Sequence, residues 1–261
     1  MNFDTVLYEE NEGVALITLN RPGVMNAINQ TLGDELYEAF KLADSAPSVR
    51  AVVLTGAGRG FCSGQDLNDR IAVDESISLA NSVRERYNIL IAKMQNMRVP
   101  VIAAINGACA GAGMGFALAC DLRFASVDAK FTMAFSKIGL APDSGTSYTL
   151  PRLVGLSKAL ELAWTGDVFD ATEAHRLGVV NRVFPPAELL SSTMEFAQKL
   201  AAGPTLAYQL TKQAIVQNFD ASLPDALERE AQLQDVAGRS HDFREGVRAF
   251  AEKRAPLFRG N

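Results

Sequence analysis

The sequence predicts an α/β fold, with a sheet built by helical crossovers in the first part of the chain and helices filling the last third. Three observations carry this reading. Short apolar runs of strand length recur up to about Leu122, and segments with three- and four-residue apolar spacing separate them. Beyond about Pro151 the strand-like runs largely stop while amphipathic segments continue. Strands that alternate with helices form a sheet through crossover connections.

The elements follow in order. Val14 to Leu19 (VALITL), Ala51 to Thr55 (AVVLT) and Val101 to Ile105 (VIAAI) are continuous apolar runs ending in polar or glycine turn residues, the pattern of strands buried on both faces. Between the first two, Asn29 is placed to cap a helix in which Leu32, Leu36, Phe40 and Ala43 share one face. A helix around Asn81 to Met97, a short helix near Met114 to Ala119 and the strand-like LRFAS from Leu122 continue the alternation. Helices are then expected around Ser157 to Ala163, Ala187 to Ala202, Pro204 to Val216, Leu223 to Val236 and Asp242 to Lys253. The last carries Phe243, Val247 and Phe250 on one stripe before Pro256. Pro185-Pro186 is the clearest punctuation, and no fixed-period repeat indicates a solenoid.

Composition narrows the function. A chain of 261 residues accommodates one large domain or a domain with an appendage, and 48% apolar with 21% charged residues is ordinary globular composition. The net charge of −5 argues against general nucleic-acid binding, which requires a basic footprint to displace counterions. The N-terminal MNFDTVLYEENEG has no basic segment followed by a long apolar one, so a cytoplasmic protein is expected. The weakly polar stretch from Val99 to Cys120 is broken by Asn106 and several glycines and is not a membrane span. Cys62, Cys109 and Cys120 lack C-x-x-C spacing and are expected as buried thiols in a reducing compartment. His175 and His241 lack the i, i+4 pairing of a metal site, so neither a metal nor a separate cofactor is expected.

Three segments could carry chemistry. GAGRGFCSGQDL, from Gly56 to Leu67, follows a strand, and its glycines can leave amides pointing outward to hold an anion. Taken alone, a plain connecting loop explains it equally well. NGACAGAGMGFALACD, from Asn106 to Asp121, leads from a strand through glycines into a helix whose N-terminus presents free amides and partial positive charge. Its G-x-G-x-G misses the third-glycine spacing of a dinucleotide fingerprint. Two such loops can each aim an amide at one oxygen, which is how an oxyanion hole stabilises a thioester carbonyl becoming an enolate. In the third segment, AFSKIGLAPDSGTSYTLPRLVG, Asp143 sits between a proline and a Ser-Gly turn. Spacing alone makes it a helix cap or turn former.

Five ordered motifs, NRPGVMNAIN, GRGFCSGQDL, NGACAGAGMGFALACDLRFAS, GLAPDSGTSYTLPRLVG and EGVRAFAEKR, resemble those of the crotonase superfamily over nearly the whole chain. The resemblance implies the crotonase (ClpP-like) fold, a spiral of β-β-α units with a helical C-terminal trimerisation region, which divides the chain into a core over 1–195 and a helical region over 196–261. It implies an acyl-CoA ligand and a homotrimer or a hexamer of two trimers. By position, the oxyanion-hole amides are those of Gln65 and Ala112, beside Gly111. Ala27 and the loop Ser63, Gly64, Asp66 and Leu67 lie along the coenzyme A. Arg59 and Lys253 are candidate partners for its phosphates, with a solvated surface charge as the alternative for both.

The departures from the family pattern bear on the reaction. Hydratases of this kind use two glutamates to hold and activate water, and their positions correspond here to Gly115 and Phe135, neither of which transfers a proton. Asp143 stands where dienoyl-CoA isomerases and the ring-epoxide isomerases of phenylacetate degradation carry an aspartate. The resemblance therefore implies an isomerase in which Asp143 is the general base and Phe135 makes one side of the pocket apolar. An enoyl-CoA hydratase and a non-catalytic acyl-CoA binder are the other readings. The acyl group depends on stretches outside the motifs, such as Ile71 to Asn88.

Overall fold

The computed structural model describes residues 3–68 and 78–261, so residues 71–77 of the stretch linked to acyl choice lie outside the described residues. The apolar runs become β2 (Val14–Leu19), β3 (Ala51–Gly56), β5 (Val101–Ile105) and β7 (Leu122–Ser126). With β1 (Val6–Asn11) and β10 (Arg182–Phe184) they form one sheet in the order β1-β2-β3-β5-β7-β10. Every neighbouring pair is parallel except the β1-β2 hairpin.

Period-two alternation along these strands feeds two cores. Val52, Leu54, Val101, Ala103 and Ile105 face the main core, which they share with Leu32, Leu36 and Phe40 of α1 (Gln30–Ser45). Ala51, Val53, Ile102, Ala104 and Phe124 face a second cluster with Leu189, Ala197 and Ala201. Both faces are covered, which is why the runs read as continuous rather than alternating. Asn29 caps α1 as expected, its side chain accepting from the Leu32 amide at 3.0 Å.

Three strands of the large sheet are followed by short ones in a second sheet, which the sequence reading missed. β3 leads to β4 (Gly60–Cys62), β5 to β6 (Ala108–Ala110) and β7 to β8 (Lys130–Thr132). With β9 (Phe169–Asp170) these form the order β4-β6-β8-β9. The result is the β-β-α spiral, without a fixed sequence period because β3, β5 and β7 begin at residues 51, 101 and 122. At the C-terminal ends of β3 and β5 the two connecting turns touch. A Cβ on Gly107 would lie 2.0 Å from the Arg59 carbonyl oxygen, so only glycine fits there.

The helical segment over 79–95 comprises α2 (Leu79–Ser82), a π-helical turn (Val83–Asn88) and α3 (Ile89–Gln95). It is followed by α4 (Ala112–Ala119), α5 (Thr146–Val154), α6 (Leu156–Thr165) and α7 (Ala171–Arg176). The C-terminal helices are α8 (Pro186–Ala201), α9 (Thr205–Asn218), α10 (Leu223–Gly238) and α11 (His241–Glu252). Residues 195 and 196 fall inside α8, whose apolar face packs on the large sheet.

On α11 the apolar stripe Phe243, Val247 and Phe250 is exposed at 54%, 55% and 87%. The buried side is Asp242, Glu245 and Ala249, because the C-terminal tail folds back along it. Asp242 accepts from the amides of Arg259 and Gly260, both at 2.7 Å, and Glu245 pairs with Arg254 at 2.6 Å. The tail reaches Arg50, at the N-terminal edge of β3, where Arg50 donates to the Phe258 carbonyl at 3.2 Å.

Candidate active site

Gly64 follows β4 at φ 93°, and a Cβ there would lie 2.9 Å from the Ala110 carbonyl oxygen and 3.5 Å from the Ala112 nitrogen. Its missing side chain lets the two glycine loops approach backbone to backbone. On the other edge, the Ile28 amide donates to the Gly64 carbonyl at 2.8 Å and the Asp66 amide donates to the Ile28 carbonyl at 2.9 Å, a parallel bridge between Ile28 and Gln65. In such a ladder the bridged residue's own N–H points to the opposite edge. The Gln65 amide therefore faces away from Ile28, on the side where β4 pairs with β6 and runs toward Ala112.

Ala112 is the first residue of α4, so no carbonyl within the helix accepts its N–H, and the partial positive charge of the helix start adds to it. Gly111, at φ 51°, is held by donating to the Thr132 carbonyl at 3.1 Å. Gln65 and Ala112, paired by position along the sequence, thus lie on facing segments. Each donor aimed at a developing oxyanion stabilises it by about 3 kcal/mol.

Asp143 lies just before α5, next to Ser144, which packs on α4 at Gly115. Its backbone carbonyl accepts from the Thr146 amide and hydroxyl at 3.0 and 2.7 Å, so Asp143 forms a turn, while the helix N-cap itself is Gly145. Its carboxylate accepts from the Ser144 hydroxyl at 2.7 Å. Ser144 is 2% exposed and held at φ 53°, a left-handed backbone that an L-residue adopts only under constraint. The constraint is α4: a Cβ on Gly115 would lie 2.4 Å from the Ser144 Cβ and 2.7 Å from its carbonyl oxygen. The space beside Gly115 is filled by the turn that carries Asp143. Phe135 is buried at 6% exposure in the main core and carries no titratable group.

The remaining expected residues divide. Ala27 is buried, and its carbonyl accepts from Arg21. The Asp66 carboxylate, 3.0 Å from Arg21 and accepting from the Asn68 amide at 3.2 Å, holds its own loop together. Ser63 donates to the Val24 carbonyl at 3.3 Å. Leu67 is 47% exposed at the loop's outer edge. Arg59 is exposed in the turn between β3 and β4, close to the site. Lys253 is not brought to these loops within one chain, since it caps the C-terminus of α11, whose tail is anchored at the far edge of the sheet.

Sequence reasoning gave no role to Arg21, Asn26 or Ser144. Asn26 is fully buried at φ 56°, and its amide nitrogen donates to the carbonyls of Ala57, Gly60 and Phe61 at 3.0, 2.8 and 3.1 Å. It stitches the turn after β2 to the β3–β4 turn and to β4, the strand that leads to Gln65. A polar residue inside the NRPGVMNAIN motif was the available signal. All three cysteines are buried, and burial pushes the Cys62 thiol, beside Gly64, up to about 12. It stays protonated near neutrality and supplies no thiolate.

The structure thus sets two facing glycine loops beside α4 and packs the turn that carries Asp143 on the same helix. The profile of the enoyl-CoA hydratase/isomerase family matches residues 9–261. The chain belongs to that family.

Relatives agree along the full length of this enoyl-CoA hydratase/isomerase family member. The chain is 44% identical over 260 residues to a probable enoyl-CoA hydratase of Rhodobacter capsulatus, with all of both chains covered. It is 42% identical over 257 residues to the 1,2-epoxyphenylacetyl-CoA isomerase of Escherichia coli, covering 98% of each. A solved enoyl-CoA hydratase/isomerase structure from Mycobacterium abscessus superposes with a TM-score of 0.95 at 43% identity, over 98% of this chain and 100% of the other. The protein is thus a crotonase-superfamily enzyme acting on CoA thioesters, and its fold is the crotonase fold. Among the described residues no group of three or more His, Cys, Asp and Glu could hold a metal ion, and no helix is long and apolar enough to cross a membrane.

Proposed function

We propose that the enzyme is an acyl-CoA isomerase with Asp143 as its single general base. The observation that carries this reading is the contact between Gly115 and Ser144, which leaves no room for a carboxylate side chain at residue 115. The thioester oxygen accepts from the amides of Gln65 and Ala112, the Asp143 carboxylate removes a proton from the α-carbon, and the electron pair spreads into the enolate. The same carboxyl then returns a proton to the γ-carbon of the conjugated system, so a Δ3 double bond becomes Δ2 with no net gain or loss of atoms. Adding water generally requires two groups, one to activate it and one to protonate carbon.

The proposed natural substrate is 2-(1,2-epoxy-1,2-dihydrophenyl)acetyl-CoA, isomerised to its oxepin form in phenylacetate breakdown, a reading supported by the E. coli relative's name. A hydratase is the second reading, supported by the name of the R. capsulatus relative at similar identity. Incubation with trans-3-hexenoyl-CoA, crotonyl-CoA and the epoxide, followed by mass and ultraviolet analysis, separates them. Products of unchanged mass are expected; a product one water heavier at comparable rate overturns the reading. Binding without turnover would leave an acyl-CoA binder. Asp143→Asn is expected to lose at least about a hundredfold in isomerisation while retaining fold and CoA binding. Wild-type-like turnover would remove Asp143 from the mechanism.

Assembly as a homotrimer, or as a hexamer of two trimers, is part of the same proposal, supported by the exposed stripe on α11.

A further inference from the structure

Tyr87 sits on the π-helical turn Val83–Asn88. Such turns are rare and frequently mark functional sites, because the extra residue re-aims a side chain. Here Tyr87 points inward, 2% exposed, between exposed Glu85 and Asn88. Its ring lies 6.5 Å from that of Phe116 on α4, and its hydroxyl is hydrogen-bonded to Oε1 of Gln65. Burial chiefly pushes the hydroxyl's pKa up, Arg86 opposes this, and the nearby Asp143 carboxylate and Cys62 add to the rise. One side chain therefore joins the Gln65 loop to α4, the helix that starts at Ala112.

Gln65 has every reason to need such a hold. It directly follows Gly64, the least conformationally restricted residue type, and its backbone is oriented by a one-residue bridge to Ile28. Its side chain adds a second anchor: Nε2 donates to the carbonyls of Ile28 and Asp66 at 3.0 and 3.3 Å, and Oε1 receives Tyr87, with Arg86 at 3.5 Å.

We propose that Tyr87 is a positioning residue whose hydroxyl locks the Gln65 side chain and so fixes the direction in which the Gln65 amide meets the thioester oxygen. The inference rests on the oxyanion-hole reading of Gln65 above. Pre-aimed donors stabilise a transition state without reorganising, so loosening one acts on turnover more than on binding.

The test uses Tyr87→Phe, which keeps the ring against Phe116, and Gln65→Leu, which removes Oε1 and Nε2 together but retains the backbone amide. Two measurements are made on the full chain: kcat and KM for trans-3-hexenoyl-CoA isomerisation, and amide hydrogen exchange at residues 64–66. Tyr87→Phe is expected to lower kcat roughly 10- to 100-fold with KM within about threefold, and to speed exchange at 64–66 about tenfold. Gln65→Leu should do the same, and the double variant should fall no further than the worse single one, since the two share one interaction. Exchange unchanged in Tyr87→Phe, or additive losses in the double variant, overturns the proposal. If the wild-type protein does not isomerise the substrate, the functional reading fails, and exchange alone still decides whether Tyr87 holds Gln65.

Discussion

At the scale of single residues the site is decided by what two positions lack. Gly64 has no side chain where the loops meet, and Gly115 has none where Ser144 turns, so the first lets the two loops approach and the second makes room for the Asp143 turn. Gly115→Ala is expected to destabilise the protein by about 1–3 kcal/mol, the usual scale for overpacking a filled site, and to lower turnover by displacing Asp143. Denaturant unfolding and steady-state kinetics check this; unchanged stability would mean the turn yields without cost. The glycine motifs and Asp143 were visible in the sequence, but their partners were not. Nothing in the spacing of Asn26, Ser144 or Asp66 predicts that they lock loops, because each acts across a separation set only by the fold. Asp143 forms a turn through its backbone carbonyl, and its carboxylate accepts from Ser144.

Elements divide along similar lines. Strands buried on both faces were legible as apolar runs, and the helices of the last third appear within a few residues of their expected bounds. The three-residue strands β4, β6 and β8 were not legible, since three residues carry no period and Gly60, Ala108 and Lys130 suggest none. Helix α5 was hidden by Pro151 in its interior, a position where proline usually ends a helix. The stripe on α11 was read as periodic, but its buried side turned out to be polar, stapled to the tail. There Glu245 is held down to about 2, first by hydrogen bonds from Arg254 and then by the Leu257 amide, against an ordinary value of 4.5. A depressed carboxylate pKa stabilises the fold above the unfolded value and loses that contribution as pH falls toward the folded one. Thermal unfolding of wild type and Glu245→Gln should therefore differ near neutrality and converge between pH 4.5 and about 2. A constant gap across that window would show that the pair contributes nothing through ionisation.

For the whole molecule, the large sheet separates two regions: the C-terminal ends of β3 and β5 lead into the two glycine loops, and the start of β3 anchors the tail through Arg50. The exposed Phe243, Val247 and Phe250 lie on the second, helical part. If this face joins copies into a trimer, Phe243→Asp with Phe250→Asp should shift the protein to monomer in sedimentation, while the core keeps its fold. An unchanged assembly state would assign the interface elsewhere. The contact of Gly115 with Ser144 has a further consequence, for the chain's redesign. A side chain at residue 115 meets the Ser144 Cβ and carbonyl oxygen, so a carboxylate placed there requires the Ser144 turn to move with it. Redesign of this position is therefore expected to need paired changes in the turn around Ser144.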